Sequence, residues 1–410
     1  MRFPVAAVIT RLILGGAQET VILSAEGVGG REGNYPTDVF AGPEAGSEGS
    51  IWEDAVVRGV RTEIVPSLVR QIDPIRDLAA FSWLVRRLRQ GARVPGESAD
   101  LRFAYEVVHT HSSKAGVLGR RAARKLEGVA IVHTVHGWPF HDAQPAWLQS
   151  FYRALERREA AHTDRLICVS ERDVQKGLAA GIGRAEQYRV VRSGIELDRF
   201  HPDPIARREV REEWAIPQDA VLIGAVTRLS PQKAPLELVQ ILLGALRDQP
   251  STWGLIVGDG PDRPEVEDAV RSEEAGRRIV LTGLRHDAHR YFAALDAFVL
   301  PSRWEGLPRT LPQAMATGVP IVCSAVDGNA EAVRDGTEGF VFPVGDVERA
   351  ANRVRELVGS EVLRRRFGEA GRFRAREFSA ERMLKDLHQV YDELVFGGPL
   401  PGRRPRAGAR

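Results

Sequence analysis

The sequence predicts an α/β protein with two doubly wound domains, each built on a parallel sheet covered by helices on both faces. Short apolar runs rich in β-branched residues alternate with helical patterns along the chain, which is typical of buried parallel strands. The runs form two series, and Pro- and Arg-rich sequence near His201–Arg211 separates them. A length of 410 residues suits two domains of ordinary size.

The apolar runs give the predicted strands in chain order. In the first series they are Val5–Ile9, Asp38–Ala41, Val60–Val65, Glu106–His109, Val129–Thr134 and Arg165–Val169. In the second series they are Val221–Thr227, Trp253–Gly258, Ile279–Thr282, Ala297–Leu300, Val319–Ser324 and Gly339–Phe342. Doubly wound sheets bind ligands beyond the carboxyl ends of their strands, so we expect the ligand in a cleft between the two domains.

Composition excludes several classes of protein. Hydrophobic content of 43% and charged content of 27% indicate a globular chain, and a net charge of +2 gives no general argument for nucleic acid. The two cysteines, Cys168 and Cys323, lie in apolar runs and are predicted to be buried and reduced. The apolar start of the chain is interrupted by Thr10 and Arg11 and lacks a cleavage pattern, so we expect a first strand and a cytoplasmic protein.

The segment Pro301–Ser324 carries the most specific signal. A polar turn presents Glu305-Gly306-Leu307 at the end of an apolar strand, and a helix is predicted over Gln313–Thr317. A carboxylate beside exposed backbone N–H groups suits a sugar that carries hydroxyls and an adjacent anion.

Two cations lie just past the first strand of the second series. Arg228 and Lys233 stand five positions apart on a loop that leads into a helix. Arg can bind a phosphate bidentately and Lys acts as a point charge, so the pair suits a diphosphate. The alternative is an ordinary solvated loop.

Further loops follow strand ends and contain glycine. Gly258 lies in a Gly-Asp-Gly-Pro turn that permits close backbone approach, and Gly283-Leu284 could meet a flat base. The stretch Asp327–Glu331 is expected near the same cleft. In the first domain, Gly15 and Gly16 follow the first strand and open a helix, where the backbone can approach an anion.

Several histidines cluster in the first half of the chain, at His109, His111, His133, His136 and His141. A metal site is one interpretation, but no convincing carboxylate or cysteine partners accompany them, so no metal is predicted. Core packing and hydrogen bonding to loop backbone are the alternatives. His136 differs, since Gly137 and Pro139 mark a turn that would direct it toward a substrate.

Together these features resemble the retaining, nucleotide-sugar-dependent glycosyltransferases of family 4, which have the two-Rossmann-domain fold called GT-B. The resemblance covers nearly the whole chain and is most specific at Pro301–Ser324. Arg228 with Lys233, the Gly258 turn and Val191–Phe200 occur in the family's order and spacing.

The resemblance implies a role for each matching residue. Arg228 and Lys233 match the pair that neutralises the donor diphosphate in place of a metal, and Glu305 matches the first Glu of a two-Glu motif. Gln313 stands where the family's second Glu usually holds the ribose hydroxyls, which is a departure from the pattern. His136 matches a histidine that contacts the transferred sugar.

The remaining implied donor contacts are backbone and accessory positions. They are Gly15, Gly16, Gly258, Gly283, Leu284, Gly306, Leu307 and Glu331. The family also implies an acceptor-binding domain over residues 1–200, a donor-binding domain over 201–378, a helix over 379–396 that returns to the first domain, and a disordered basic tail over 397–410.

The implied activity is transfer of a hexosyl or N-acetylhexosaminyl group, with retention and without a metal or other cofactor. The donor is a nucleotide sugar, with UDP favoured over GDP. The acceptor is a glycan, a lipid-linked molecule or a small molecule, and nucleic acid is not a partner.

Two other functions remain open at this point. One is a nucleotide-sugar epimerase or a glycogen-type phosphorylase on the same fold. The other is a non-catalytic sugar-nucleotide-binding protein, which only the change at Gln313 favours.

A separate hypothesis concerns the membrane. The segment Pro74–Arg93 combines apolar residues with several arginines, as in a basic amphipathic helix that rests on an anionic membrane. The alternative is a helix packed on the first sheet.

Overall fold

The computed structural model describes residues 1–29, 33–43, 49–93 and 101–397, and the chain forms two compact units. The first unit comprises Met1–Gly194 together with the segment that begins at Glu381. The second unit comprises Ile195–Ala380.

The first unit is built on one parallel sheet. Its strands are β1 (Val5–Arg11), β2 (Thr37–Gly42), β3 (Arg61–Ile64), β4 (Val107–His111), β5 (Ala130–Val135), β6 (Arg165–Cys168) and β7 (Tyr188–Val190). They lie in the order β3-β2-β1-β4-β5-β6-β7, and each neighbouring pair is parallel. The direction of strand progression reverses between β1 and β4, which is where such sheets open a crevice at their carboxyl edge.

Helices cover both faces of this sheet. They are α1 (Gly16–Gly29), α2 (Trp52–Val57), α3 (Pro74–Arg89), α4 (Ser113–Ala123), α5 (Ala146–Ala160) and α6 (Glu171–Ala179). Successive side chains of β1 alternate between two apolar clusters, as a strand buried on both faces requires. Ala6 and Val8 pack in the cluster that includes α3 and α4, whereas Ala7 and Ile9 pack in the cluster that includes α1 and α2.

The second unit repeats the arrangement with a parallel sheet of its own. Its strands are β8 (Val221–Val226), β9 (Thr252–Val257), β10 (Ile279–Gly283), β11 (Ala297–Leu300), β12 (Ile321–Ser324) and β13 (Gly339–Phe342). Their order is β10-β9-β8-β11-β12-β13, again with parallel pairs. The reversal here lies between β8 and β11.

The helices of the second unit are α7 (Pro204–Glu213), α8 (Pro235–Leu246), α9 (Arg263–Arg271), α10 (Ala288–Ala294), α11 (Thr310–Ala316), α12 (Asp327–Ala332), α13 (Val347–Val358) and α14 (Glu361–Ala375). The last helix, α15 (Ala380–Phe396), packs on the first unit. Its Tyr391 is buried and bonds His109, and its Glu393 accepts hydrogen bonds from Arg189.

The predicted fold class is confirmed, and the differences are local. The short edge strand β7 was not predicted, because its three residues do not form a continuous apolar run. The helix predicted over Gln313–Thr317 begins three residues earlier, at Thr310, and ends at Ala316. Cys168 and Cys323 are buried free thiols, as predicted. The tail predicted to be disordered lies outside the described residues except for Gly397.

Helix α3 packs its apolar face on the first sheet. Leu84 and Leu88 are buried in the core, and Phe81, Trp83 and Val85 pack against the same cluster. Most of the helix therefore packs on the first sheet, which was the alternative to a membrane-bound helix. Its exposed apolar residues are those at its start. Within the described ranges, no helix combines the length and apolarity needed to cross a membrane.

Candidate active site

Two loops meet where the strand order of the second sheet reverses. One follows β8 and ends in a single turn at Pro231–Lys233, and the other follows β11 and carries Glu305. The Lys233 ammonium forms an ion pair with Oε1 of Glu305. Gln232 Nε2 donates to the Trp304 carbonyl at 3.0 Å and to Oε2 of Glu305 at 3.4 Å. A backbone bond from Arg303 N to the Gln232 carbonyl, 2.9 Å long, completes the connection.

The ion pair is sheltered from solvent. The Lys233 side chain is 18% exposed and the Glu305 side chain 5% exposed. A carboxylate buried to this degree needs a counter-charge, so Lys233 stabilises Glu305 and Glu305 holds the ammonium at the sheet edge. Arg228 is half-buried on the same loop as Lys233 and brings a second cation to this edge.

The Gly258 turn lies directly against the Arg228 loop. A Cβ at Gly258 would lie 1.9 Å from the Thr227 carbonyl oxygen, and one at Gly260 would lie 2.1 Å from that of Leu229. Gly258 also has a φ of 137°, which disfavours other residues. Leu229 N donates to the Asp259 carbonyl at 2.9 Å. The glycines therefore allow the ends of β8 and β9 to meet backbone to backbone.

The end of β10 continues this edge. The Gly258 amide donates to the Gly283 carbonyl at 2.9 Å, and Gly283 has a φ of 74°. Leu284 follows in a half-buried position. The structure thus brings the predicted positions Gly258, Gly283 and Leu284 together beside the Arg228 loop.

Residues Gly306 and Leu307 are buried next to the start of α12. The Gly328 amide donates to the Gly306 carbonyl at 2.9 Å, and a Cβ at Gly328 would lie 2.0 Å from that oxygen. The Glu305 amide donates to Oδ2 of Asp327 at 3.3 Å. The Asp327–Glu331 stretch therefore packs against the Glu305 loop and holds it through these two hydrogen bonds.

Gln313 and Glu331 lie on helices α11 and α12, outside the two loops that the Lys233–Glu305 pair joins. Gln313 is 7% exposed on α11, and its carbonyl accepts a hydrogen bond from the Thr317 hydroxyl at 2.6 Å. Glu331 is half-buried on α12, and its carbonyl accepts a bond from Arg374 at 3.1 Å.

In the first unit, α1 begins at Gly16, just after β1, as predicted. The Gly15 carbonyl accepts from Glu19 N at 3.0 Å, and the Gly16 carbonyl accepts from the Thr20 hydroxyl at 2.7 Å. These bonds form the first turn of the helix. A Cβ at Gly15 would meet only the end of the Gln18 side chain, so the backbone does not itself demand glycine there.

Four of the clustered histidines lie on β4 and β5 or directly after them, with His111 and His136 at the strand ends. His111 Nδ1 and His136 Nε2 are 3.1 Å apart, while His109 bonds the Tyr391 and Thr134 hydroxyls at 2.7 Å each. His133 Nδ1 bonds the Thr110 hydroxyl at 2.9 Å. No group of three or more potential metal ligands occurs among the described residues.

Burial keeps these imidazoles neutral. Desolvation lowers the pKa of His136 to about 4 and that of His109 to about 3, with a smaller contribution to His109 from His136. Desolvation also lowers the pKa of His111 and His133 well below the usual value, and the Arg120 charge adds to the effect at His133. At neutral pH each ring therefore has one N–H and one bare nitrogen.

The sequence did not reveal several of these contacts. Gln232 bridges the two loops through an amide whose partners are 72 and 73 residues away. Tyr391 reaches His109 from a helix 282 residues further along the chain. Parallel-sheet topology produces the first of these contacts and the packing of α15 on the first unit produces the second, and no local pattern marks either.

Family models match both halves of the chain. The model described as "Glycosyl transferases group 1" matches residues 206–374, and "Glycosyl transferase 4-like domain" matches residues 15–194. The UDP-Gal:alpha-D-GlcNAc-diphosphoundecaprenol alpha-1,3-galactosyltransferase of Escherichia coli is 30% identical over 308 residues, which is 74% of this chain and 76% of that protein. The chain belongs to the group 1 glycosyltransferases.

Other relatives of this glycosyltransferase agree with that assignment. The D-inositol 3-phosphate glycosyltransferase of Mycolicibacterium smegmatis is 28% identical over 75% of this chain and 71% of its own. The crystal structure of Anabaena Alr3699/HepE in complex with UDP and glucose aligns with a TM-score of 0.80 at 18% identity, covering 96% of this chain and 100% of that one. Sucrose-phosphate synthase from Thermosynechococcus elongatus aligns with a TM-score of 0.77 at 21% identity, over 97% of this chain and all of its own. These solved structures show that the transferase has the GT-B fold.

Proposed function

We propose that this glycosyltransferase moves a hexosyl or N-acetylhexosaminyl group from a UDP-sugar to an acceptor in glycan, polysaccharide or glycolipid synthesis, with retention of anomeric configuration. The observation that carries the proposal is the Lys233–Glu305 ion pair, beside Arg228, at the strand reversal of the second sheet. This edge is where doubly wound sheets bind nucleotides.

The charges suit the departure of a nucleoside diphosphate. Breaking the anomeric bond builds negative charge on the phosphates and positive charge on the sugar. Arg228 and Lys233 provide fixed cations for the phosphates, and such preorganised groups lower the barrier most in a site sheltered from water. Because these cations can do what a divalent ion does elsewhere, we propose that the reaction needs no metal.

Glu305 suits a positioning role better than that of a covalent nucleophile. Its two carboxylate oxygens already receive Lys233 and Gln232. Hydrogen bonds and a counter-charge on both oxygens make this carboxylate a weaker nucleophile. We therefore assign retention to attack from the face that the diphosphate leaves, with a phosphate oxygen accepting the acceptor's proton, and we assign His136 to contact with the transferred sugar.

Named relatives support the choice of donor and acceptor. The E. coli relative uses UDP-Gal and a diphosphoundecaprenol acceptor, as its name states, and HepE has been crystallised with UDP-glucose. We accordingly favour UDP over GDP, and a lipid-linked acceptor among the acceptor classes.

Replacing Lys233 by Ala tests the role of the cations. We expect kcat to fall by about 10²- to 10³-fold, because one preorganised donor to the leaving group is lost. Lys233→Arg should recover part of the rate. The matched control is Arg271→Ala, which removes one positive charge from an exposed helix of the same unit. The measurement is the rate of transfer or hydrolysis of UDP-sugar.

The same assay with excess chelator tests whether the reaction needs a metal. A wild-type rate that disappears in chelator and returns with an added divalent ion would refute the metal-free mechanism.

Replacing Gln313 by Glu tests its assignment to the ribose. A carboxylate accepts hydrogen bonds from a diol more strongly than an amide does, and the difference is about 1 kcal/mol, or roughly tenfold in affinity. Calorimetry with UDP should therefore show equal or tighter binding, up to about tenfold. Gln218→Glu makes the same chemical change at an exposed position and serves as the control. Clearly weaker UDP binding by a folded Gln313→Glu variant would contradict the assignment.

For a lipid-linked acceptor we also propose contact with an anionic membrane through the start of α3. Ile72, Ile75 and Leu78 are 74%, 83% and 65% exposed, and the same segment carries Arg70 and Arg76 together with Asp73 and Asp77. Exposed apolar side chains suit the surface of a bilayer, and the exposed Arg86 and Arg89 later in the same helix suit an anionic one.

Sedimentation with anionic vesicles at low salt tests this contact. The double variant Ile75→Ser, Leu78→Ser should lower the membrane partition coefficient by about tenfold, because two exposed aliphatic side chains are lost. Val362→Ser changes an equally exposed aliphatic residue of the second unit and should bind like the wild type. Absence of wild-type binding would rule out the membrane contact.

A further inference from the structure

A hydrogen-bonded pair of histidines lies at the carboxyl edge of the first sheet. His111 is the last residue of β4, and His136 follows the last residue of β5. Their Nδ1 and Nε2 atoms are 3.1 Å apart, and the rings stack at 30° with centroids 5.4 Å apart. The contact is therefore a side-chain bond between neighbouring strand ends.

One proton must occupy the space between the two rings. Both imidazoles are neutral at neutral pH, so each carries a single N–H. Either His111 Nδ1–H donates to His136 Nε2, which places the His136 proton on Nδ1, or His136 Nε2–H donates to His111 and leaves its Nδ1 bare. The state of His111 thus decides whether His136 Nδ1 is a donor or an acceptor.

The surroundings hold His111 firmly. His111 is 3% exposed, and the centroid of its ring lies 4.2 Å from that of the His109 ring. His109 is itself fixed at both nitrogens, by the Tyr391 and Thr134 hydroxyls. The packing holds the His111 ring in place, whereas His136 is only half-buried, and among the described residues no group other than His111 hydrogen-bonds its ring.

We infer that His111 is a positioning residue, which holds the His136 ring in one orientation and one tautomer so that Nδ1 presents a defined hydrogen-bonding character to the transferred sugar. The part that concerns catalysis rests on the sugar contact assigned to His136 under the proposed function. The part that concerns the tautomer does not depend on the activity of the protein.

Two amide substitutions separate the bond from the bulk of the side chain. In His111→Asn the amide lies near the position of Nδ1 and can keep the bond to His136. In His111→Gln the amide extends toward the position of Nε2, so the variant stays polar but loses the bond. His133→Asn is the matched control, because His133 is equally buried and bonds Thr110 rather than His136.

Long-range ¹H–¹⁵N spectra of histidine-labelled protein report the tautomer of His136 directly. We expect one protonated and one bare nitrogen in the wild type, in His111→Asn and in His133→Asn. In His111→Gln both nitrogen signals should move toward averaged positions. A His136 tautomer that is unchanged in His111→Gln would overturn the inference, whatever the activity of the enzyme.

Kinetics with UDP-sugar then test the consequence for transfer. We expect kcat to fall about tenfold in His111→Gln, with near wild-type kcat in His111→Asn and unchanged affinity for UDP alone. Equal losses in the Asn and Gln variants would show a purely structural role and contradict the inference. Full activity of His136→Ala would instead refute the sugar contact assigned to His136, and the spectra would still decide the tautomer.

Discussion

The ion pair between Lys233 and Glu305 joins the two loops that leave the second sheet where its strand order reverses. Parallel topology places both loops at one edge, and the ion pair fixes their separation. Everything proposed for the donor depends on this contact, because it keeps a cation and a carboxylate next to each other in a sheltered place. Gln232 adds the polar contacts that stop the carboxylate from rotating away.

Backbone strain accompanies these loops. Among the described residues, positive φ values occur at the non-glycine residues Ser112, Ala215, Ala234 and Asp327. Ala234 follows Lys233 directly, Asp327 accepts the amide of Glu305, and Ser112 follows His111. Such conformations cost about 1–3 kcal/mol each and persist only where neighbouring contacts enforce them. Ala234 and Asp327 therefore mark loops that the fold holds in place around the Lys233–Glu305 pair, and Ser112 marks the loop beside the histidine pair of the first unit.

The sequence predicted the sheets well because buried parallel strands are continuous apolar runs, and the two series of runs correspond to the two sheets. It also located Lys233, Glu305 and the Gly258 turn, since each lies in a short local motif. It could not predict that Lys233 and Glu305 pair, that Gln232 bridges them, or that His111 bonds His136. These contacts join residues 25 to 73 positions apart, and only the register of neighbouring strands brings them together.

A crystal structure of the protein with UDP would show directly whether Arg228 and Lys233 hold the donor diphosphate. We expect the β-phosphate within about 3 Å of Lys233 Nζ and of the Arg228 guanidinium, with the uracil near Gly283 and Leu284. We also expect Glu305 to keep its contact with Lys233. UDP bound with its phosphates away from both cations, or held through a metal ion instead, would contradict the proposed roles of Arg228 and Lys233.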